Sequence, residues 1–128
     1  MADFKRDEIK YIRDKAKARY KKGSECYICG SQENLDFHHL TTLTPLYNKW
    51  KKDNKLNISS EEELLAVRDR FISEHQRELY EETVTLCHDH HLKLHSIYGK
   101  DPALSTAKKQ ARWLDIQREK HGLPIVHD

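Results

Sequence analysis

A broken constellation of cysteine and histidine limits this chain more than any other feature: Cys26-x-x-Cys29, then His38-His39, then Cys87-x-x-His90-His91-x-x-x-His95. It contains all three cysteines and five of the nine histidines. Thiolate and imidazole are the usual ligands of tetrahedral zinc, and pairs two residues apart suit a knuckle whose side chains converge on one ion. Cys26, Cys29, Cys87 and His90 would complete a closed structural zinc site. That leaves His38, His39, His91 and His95 close together and without employment.

The rest of the composition makes a metal staple necessary. Only 37% of the 128 residues are hydrophobic and the mean hydropathy is −0.93, too little apolar material for a large core. One domain is expected. Three cysteines cannot all pair as disulfides and no signal-like N-terminus is present, which favours a reducing, cytoplasmic setting. No apolar stretch approaches the roughly 20 residues of a membrane helix. Charge is unevenly spread. Residues 1–22 hold nine Lys/Arg against four Asp/Glu, whereas residues 60–82 hold eight acids against three arginines. A polyanion is expected at the basic end, with the acidic stretch facing away from it.

Asp3 reads as the cap of a basic helix from Phe4 to Lys22, within a segment 1–23 that Gly23 closes. One face of it carries Lys10, Arg13, Lys17 and Lys21, candidates for phosphate contact. Residues 24–40 hold a turn-rich knuckle (Ser24 to Gln32) and a short strand (Asn34 to His38). Residues 41–80 read as an insertion. Its first part, Thr41 to Asn57, is a loop with at most a helical turn, in which Trp50 is a packing anchor. Its second part is an acidic helix opened by the capping box of Ser59, Ser60 and Glu63 and running to Tyr80, with Leu64, Val67, Phe71, Ile72 and Leu79 buried. A second strand (Thr83 to Leu86) and a helix (His88 to Tyr98, stopped by Gly99) fill residues 81–98. Asp101-Pro102 opens a last helix over 101–121 that packs through Leu104, Ala107, Ala111, Leu114 and Trp113. His75, His121 and His127 are expected to be solvated.

Two strands and a helix pinned at their roots by zinc form a ββα unit, so the fold class is α+β and mostly helical, with flanking and inserted helices. His91 and His95 are four apart on the helix and can chelate one ion; a one-residue shift would let either trade places with His90 or His88 at the zinc. His38 and His39 point to opposite faces of a regular strand, and share a cleft only if the strand stops or bulges there. A metal with open positions beside an unliganded imidazole suits phosphodiester hydrolysis.

CYICGSQENLDFHHL (26–40) resembles the opening motif of HNH endonucleases, also called His-Me finger or ββα-metal nucleases, and TLCHDHHLKLH (85–95) resembles their closing helix. The resemblance covers 24–40 and 80–97, about a quarter of the chain. It implies His39 as general base and His38, His91 and His95 as ligands of a catalytic ion (Mg, Mn, Ni, Co or Zn). It also implies hydrolysis of DNA to 5′-phosphate and 3′-hydroxyl ends. One ββα unit contacts one scissile phosphate, so a monomer is expected to nick, and double-strand cleavage needs a homodimer or two successive nicks. His90 stands where the family often has a fourth cysteine. Glu82 stands where the family has an asparagine that orients the base; its backbone carbonyl could hold the imidazole, and its carboxylate would raise the basicity of His39. A short free-standing nuclease of this kind suits a phage acting in its host cell. The rivals are a zinc-stapled nucleic-acid-binding module without catalysis and a scaffold whose acidic helix docks a partner. An RNase of the same fold is not separable by sequence.

Overall fold

Antiparallel pairing of β1 (Leu35–His39) with β2 (Thr83–Cys87) joins the two halves of the constellation. The register sets Leu35 opposite Cys87, Phe37 opposite Thr85 and His39 opposite Thr83. The computed structural model describes residues 7–125, so Asp3, Phe4 and His127 lie outside the described residues. A two-stranded ribbon is marginal by itself, and here each end is held. At the Cys87 end His88 N–H donates to the Asn34 carbonyl (2.8 Å), and at the middle of β2 Tyr27 N–H donates to the Thr85 carbonyl (2.9 Å) and Gly23 N–H to the Thr85 hydroxyl (2.7 Å), which docks the knuckle on the strand. At the other end Leu40 N–H donates to the Glu82 carbonyl (3.0 Å).

The helices surround this ribbon: α1 (Glu8–Ala16), α2 (Leu43–Asp53), α3 (Glu61–Glu74), α4 (Gln76–Tyr80), α5 (His88–Tyr98) and α6 (Ala107–Lys120). The architecture is therefore α+β and mostly helical, with one two-stranded sheet among the described residues. Two cores form. Ile12 and Ala16 of α1 meet Leu43, Tyr47 and Trp50 of α2, Phe71 and Ile72 of α3 and Leu79 of α4. Around the cysteines, Ile28 meets Leu86, Leu94 and Leu114. Arg118 braces α6 on the knuckle, its guanidinium lying over the Tyr27 ring and donating to the Tyr27 carbonyl (2.6 Å).

Several expectations are corrected. Residues 41–57 are not a loop, because α2 occupies most of them. Pro45 stands in its first turn, where an α-helix leaves N–H groups unpaired anyway, and Leu43, Tyr47 and Trp50 form a buried stripe at helical spacing. The first helix is capped by Asp7, whose carboxylate accepts Lys10 N–H (3.1 Å), and gives way to a 3-10 turn at Lys17–Arg19, so it ends short of Lys21. The acidic helix is two helices. His75 breaks it at φ −125°, ψ 36°, where the His75 ring (2.8 Å) and the Gln76 amide (2.7 Å) take carbonyls of the last turn of α3. His75 is packed rather than solvated, its ring stacked 4.2 Å from that of Phe71. Asp101-Pro102 does not open α6, which starts after a 3-10 turn at Leu104–Thr106; Pro102 is buried instead, and its carbonyl accepts the Thr42 hydroxyl (2.5 Å). The acidic α3 does not face away from the basic helix. It packs on α1, with Lys15 bonded to Asp69 and the Tyr11 hydroxyl donating to Glu61 (3.4 Å).

The capping box is present: the Ser60 hydroxyl accepts Glu63 N–H (3.1 Å) and the Glu63 carboxylate accepts Ser59 N–H (2.8 Å). Phe71 is fully buried between Tyr47, Trp50 and His75. Phe71→Ala is expected to cost about 3–5 kcal/mol, read from urea unfolding. The metal content should not change, because the cysteine cluster sits in the other core.

Candidate metal centre and catalytic cleft

Cys26, Cys29, Cys87 and His90 bring one ligand atom each within 4.8 Å of one another. The Cys29–Cys87 sulfurs are 4.0 Å apart, and His90 Nδ1 lies 3.2 Å from the Cys87 sulfur and 3.8 Å from that of Cys26. Bonds of about 2.3 Å to sulfur and about 2.0 Å to nitrogen give tetrahedral edges of about 3.8 Å and about 3.5 Å, so the four atoms fit one zinc-sized ion. Local backbone makes this arrangement. Gly30, at φ 77°, turns the chain so that its N–H reaches the Cys26 carbonyl (2.8 Å), and Cys26 N–H closes on the Ser31 carbonyl (2.7 Å). Burial would raise the Cys26 thiol, but backbone N–H groups of Cys87, Cys29 and Ile28 aimed at its sulfur outweigh this and leave it lowered. Burial, and then the neighbouring Cys26, push Cys87 up to about 11. Two such sulfurs share a site as thiolates only with a cation between them.

The second cluster is His38, His91 and His95. His91 Nε2 lies 3.2 Å from His38 Nδ1 and 3.0 Å from His95 Nε2. Each ring has its other nitrogen engaged. His91 Nδ1 faces the Asp36 carboxylate (3.0 Å), and His95 Nδ1 faces the Gly99 carbonyl (2.8 Å). His38 Nε2 faces the Gln110 amide oxygen (2.8 Å), whose orientation is set because the amide nitrogen donates to the Leu40 carbonyl (3.3 Å) and the Thr106 hydroxyl (3.0 Å). These oxygens only accept, so each outer nitrogen carries the hydrogen and each inner nitrogen presents a lone pair. Burial pushes His38 down to about 4 and keeps it neutral. With each ring in its neutral form, three lone pairs converge. Metal–nitrogen bonds of about 2.0–2.1 Å meeting at roughly 90–110° leave nitrogens about 2.9–3.3 Å apart, the spacing at which His91 stands from both His38 and His95. The cluster could hold a divalent ion, and the outer contacts are of the kind that orient histidine ligands.

His39 leaves the opposite face of β1, beside Phe37 and Tyr20 (ring centroids 5.2 and 4.9 Å). The strand ends there without a bulge in its register. Both histidines nonetheless line one cleft of about 320 Å³, with His91, His95, Arg13, Tyr20 and Lys100. His39 Nε2–H donates to the Leu79 carbonyl (3.0 Å). Because α4 ends at Tyr80, that carbonyl is one a helix terminus leaves unpaired. The hydrogen on Nε2 leaves Nδ1 as the basic nitrogen. Burial lowers His39, against the Leu79 carbonyl, and Arg13 lowers it further.

Glu82 does not hold His39. Its carbonyl is taken by Leu40 N–H, and its carboxylate accepts the Thr41 hydroxyl (3.4 Å) and pairs with Arg77 (3.3 Å). His88 is not in the cysteine cluster; it shares the Asp36 carboxylate with His91 (3.0 Å). Lys10 and Lys17 both pair with Asp14 (3.0 and 3.5 Å), and Lys21 lies past the helix, so the four basic candidates form no single stripe. Sequence reasoning missed Asp36, Gln110 and the Leu79 carbonyl. Asp36 shares the His38 face by strand alternation, and Gln110 interrupts the apolar stripe of α6, so both left a signal. A backbone carbonyl leaves none. Asp36→Ala is expected to weaken divalent-ion binding at the trio by about 10–100-fold, read by competition with a chelating dye. The ion held by the cysteine cluster should be retained.

No helix among the described residues is long and apolar enough to cross a membrane. No solved structure matches the chain. A family model does: that of the Nicking endonuclease family, a phage family, over residues 1–123. A match over nearly the whole length shows that the chain belongs to the Nicking endonuclease family and is a DNA endonuclease.

Proposed function

We propose that this nicking endonuclease is of the HNH type, with His39 as general base and His38, His91 and His95 as ligands of the working divalent ion. The observation that carries the reading is the convergence of three lone pairs in the cleft that also holds His39. Cys26, Cys29, Cys87 and His90 form a separate, closed zinc site whose role is structural. Imidazole-rich ligation favours Mn, Co, Ni or Zn over Mg at the trio, although cellular supply also bears on which ion works.

The chain's own residues divide the work. His39 Nδ1 takes a proton from water as its oxygen attacks the phosphorus, the bond from phosphorus to the 3′ oxygen breaks, and the departing oxygen takes a proton from solvent, leaving a 5′-phosphate and a 3′-hydroxyl. The Leu79 carbonyl holds the ring in the tautomer that keeps Nδ1 basic, the part an asparagine plays in related nucleases, and it stabilises the imidazolium that forms. Asp36, Gln110 and the Gly99 carbonyl orient the ligands. A divalent ion bound there would neutralise the scissile phosphate and the departing oxygen. One such site meets one strand, so a monomer nicks.

Nicking of supercoiled plasmid tests this, with Mg, Mn, Co, Ni or Zn returned to protein that keeps its structural zinc. His39→Ala should lose about 10²–10⁴-fold in rate with the same metal content. Equal cutting by His39→Ala, or cutting that needs no added ion, sinks the assignment. The zinc has its own test. Cys87→Ser should release one equivalent of zinc and lower the thermal midpoint, because binding energy at such a site is folding energy. Undiminished zinc in that variant would contradict the cluster as drawn.

A further inference from the structure

Two clefts meet at the histidine trio. The one described above holds Arg13 and His39, and a larger one of about 760 Å³ runs from the trio past Asp36 and His88 to Lys22 and Leu92. Phe37, His91, His95 and Lys100 line both, so the two clefts adjoin along these side chains. Three cations stand along this path: Arg13 at the His39 end, Lys100 at the junction and Lys22 at the far end.

Of the other described basic side chains of the N-terminal segment, Arg19 and Lys21 line neither cleft, and the rest are paired. Lys10 and Lys17 pair with Asp14, and Lys15 is bonded to Asp69. Among the described residues Arg13 and Lys100 form no salt bridge, and the Lys22 ammonium donates to the Leu35 carbonyl (2.9 Å), which leaves its charge uncancelled. Among the described residues Asp36 is the one carboxylate lining either cleft, and His88 and His91 already engage it. Lys100 is also tied to the trio through the chain. Gly99, at φ 90°, turns the backbone after α5 and gives its carbonyl to His95, so the same dipeptide orients a candidate ligand and presents a cation beside it.

We propose that the two clefts are one groove for a single DNA strand, in which Lys100 binds the phosphate at the trio while Arg13 and Lys22 hold phosphates on either side. The proposal rests on the trio as the reactive centre. It moves the DNA contact from the outer face of the first helix to a track through the site. Leu35, Phe37 and Leu92 form the walls of the larger cleft, surfaces suited to sugar faces, so the grip is on the backbone and tolerant of sequence.

Fluorescence anisotropy of a labelled duplex tests the track, using the full chain with His39→Ala in every sample, at several salt concentrations. Arg13→Ala, Lys22→Ala and Lys100→Ala should each weaken binding several-fold and each reduce the slope of log affinity against log salt by about one. Lys100→Arg should keep the slope. Lys52→Ala and Lys108→Ala, which remove exposed lysines that line neither cleft, should bind within about twofold of the parent. Unchanged slopes in the three groove variants, or equal losses in the two controls, overturn the track. Residual cutting in the His39→Ala parent would count against the proposed base alone, since the slopes read binding and not turnover.

Discussion

Pairing of β1 with β2 is the constraint on which the rest depends. It brings His38 and His39 against a helix that begins only after residues 40–82 have been bridged, and closing so long a connection costs entropy that five residue pairs do not recover alone. The ribbon holds because each end is tied. Cysteines from both halves gather at one end, and Leu40 and His39 bond the carbonyls of Glu82 and Leu79 at the other. The insertion is thus part of the clasp, and its helices supply the carbonyl that orients His39.

That dependence explains why so much buried polar structure surrounds one small sheet. The trio works as a set of acceptors only while Asp36, Gln110 and Gly99 hold the outer nitrogens, and these come from β1, α6 and the turn after α5. Gln110 is fully buried and its amide is satisfied at every turn, by His38, Leu40 and Thr106. Left unpaired, such an amide would be costly in a core this small. Packing of α6 is therefore coupled to the orientation of a histidine on β1, while Arg118 couples the same helix to the knuckle.

Charge follows the same economy. The acidic helices do not stand apart from the basic segment; α3 neutralises part of it, through Asp69 with Lys15. Of the cations left without a carboxylate partner among the described residues, Arg13, Lys22 and Lys100 line the clefts. Local pairing, rather than net charge, thus decides which cations are free to meet a phosphate.

The two groupings of potential ligands were legible because ligand chemistry is local: two-residue spacing makes a knuckle and four-residue spacing makes one helix face. The capping box at Ser60 and the helix from His88 to Tyr98 were legible for the same reason, since each is set by contacts within a few residues. The loop reading of 41–57 failed because proline and asparagine weigh against a helix in general, whereas Pro45 stands where a helix tolerates it and burial of Tyr47 and Trp50 outweighs propensity. Glu82 failed because counting back along the chain finds a side chain, and the partner of His39 is a main-chain oxygen freed by the end of a short helix. The sequence by itself determined which side chains are able to ligate and the α+β class that carries them. Tertiary structure alone decided the tautomer of each imidazole, the partner of the proposed base and the cations left for DNA, because each of these depends on atoms that meet only after distant segments pack.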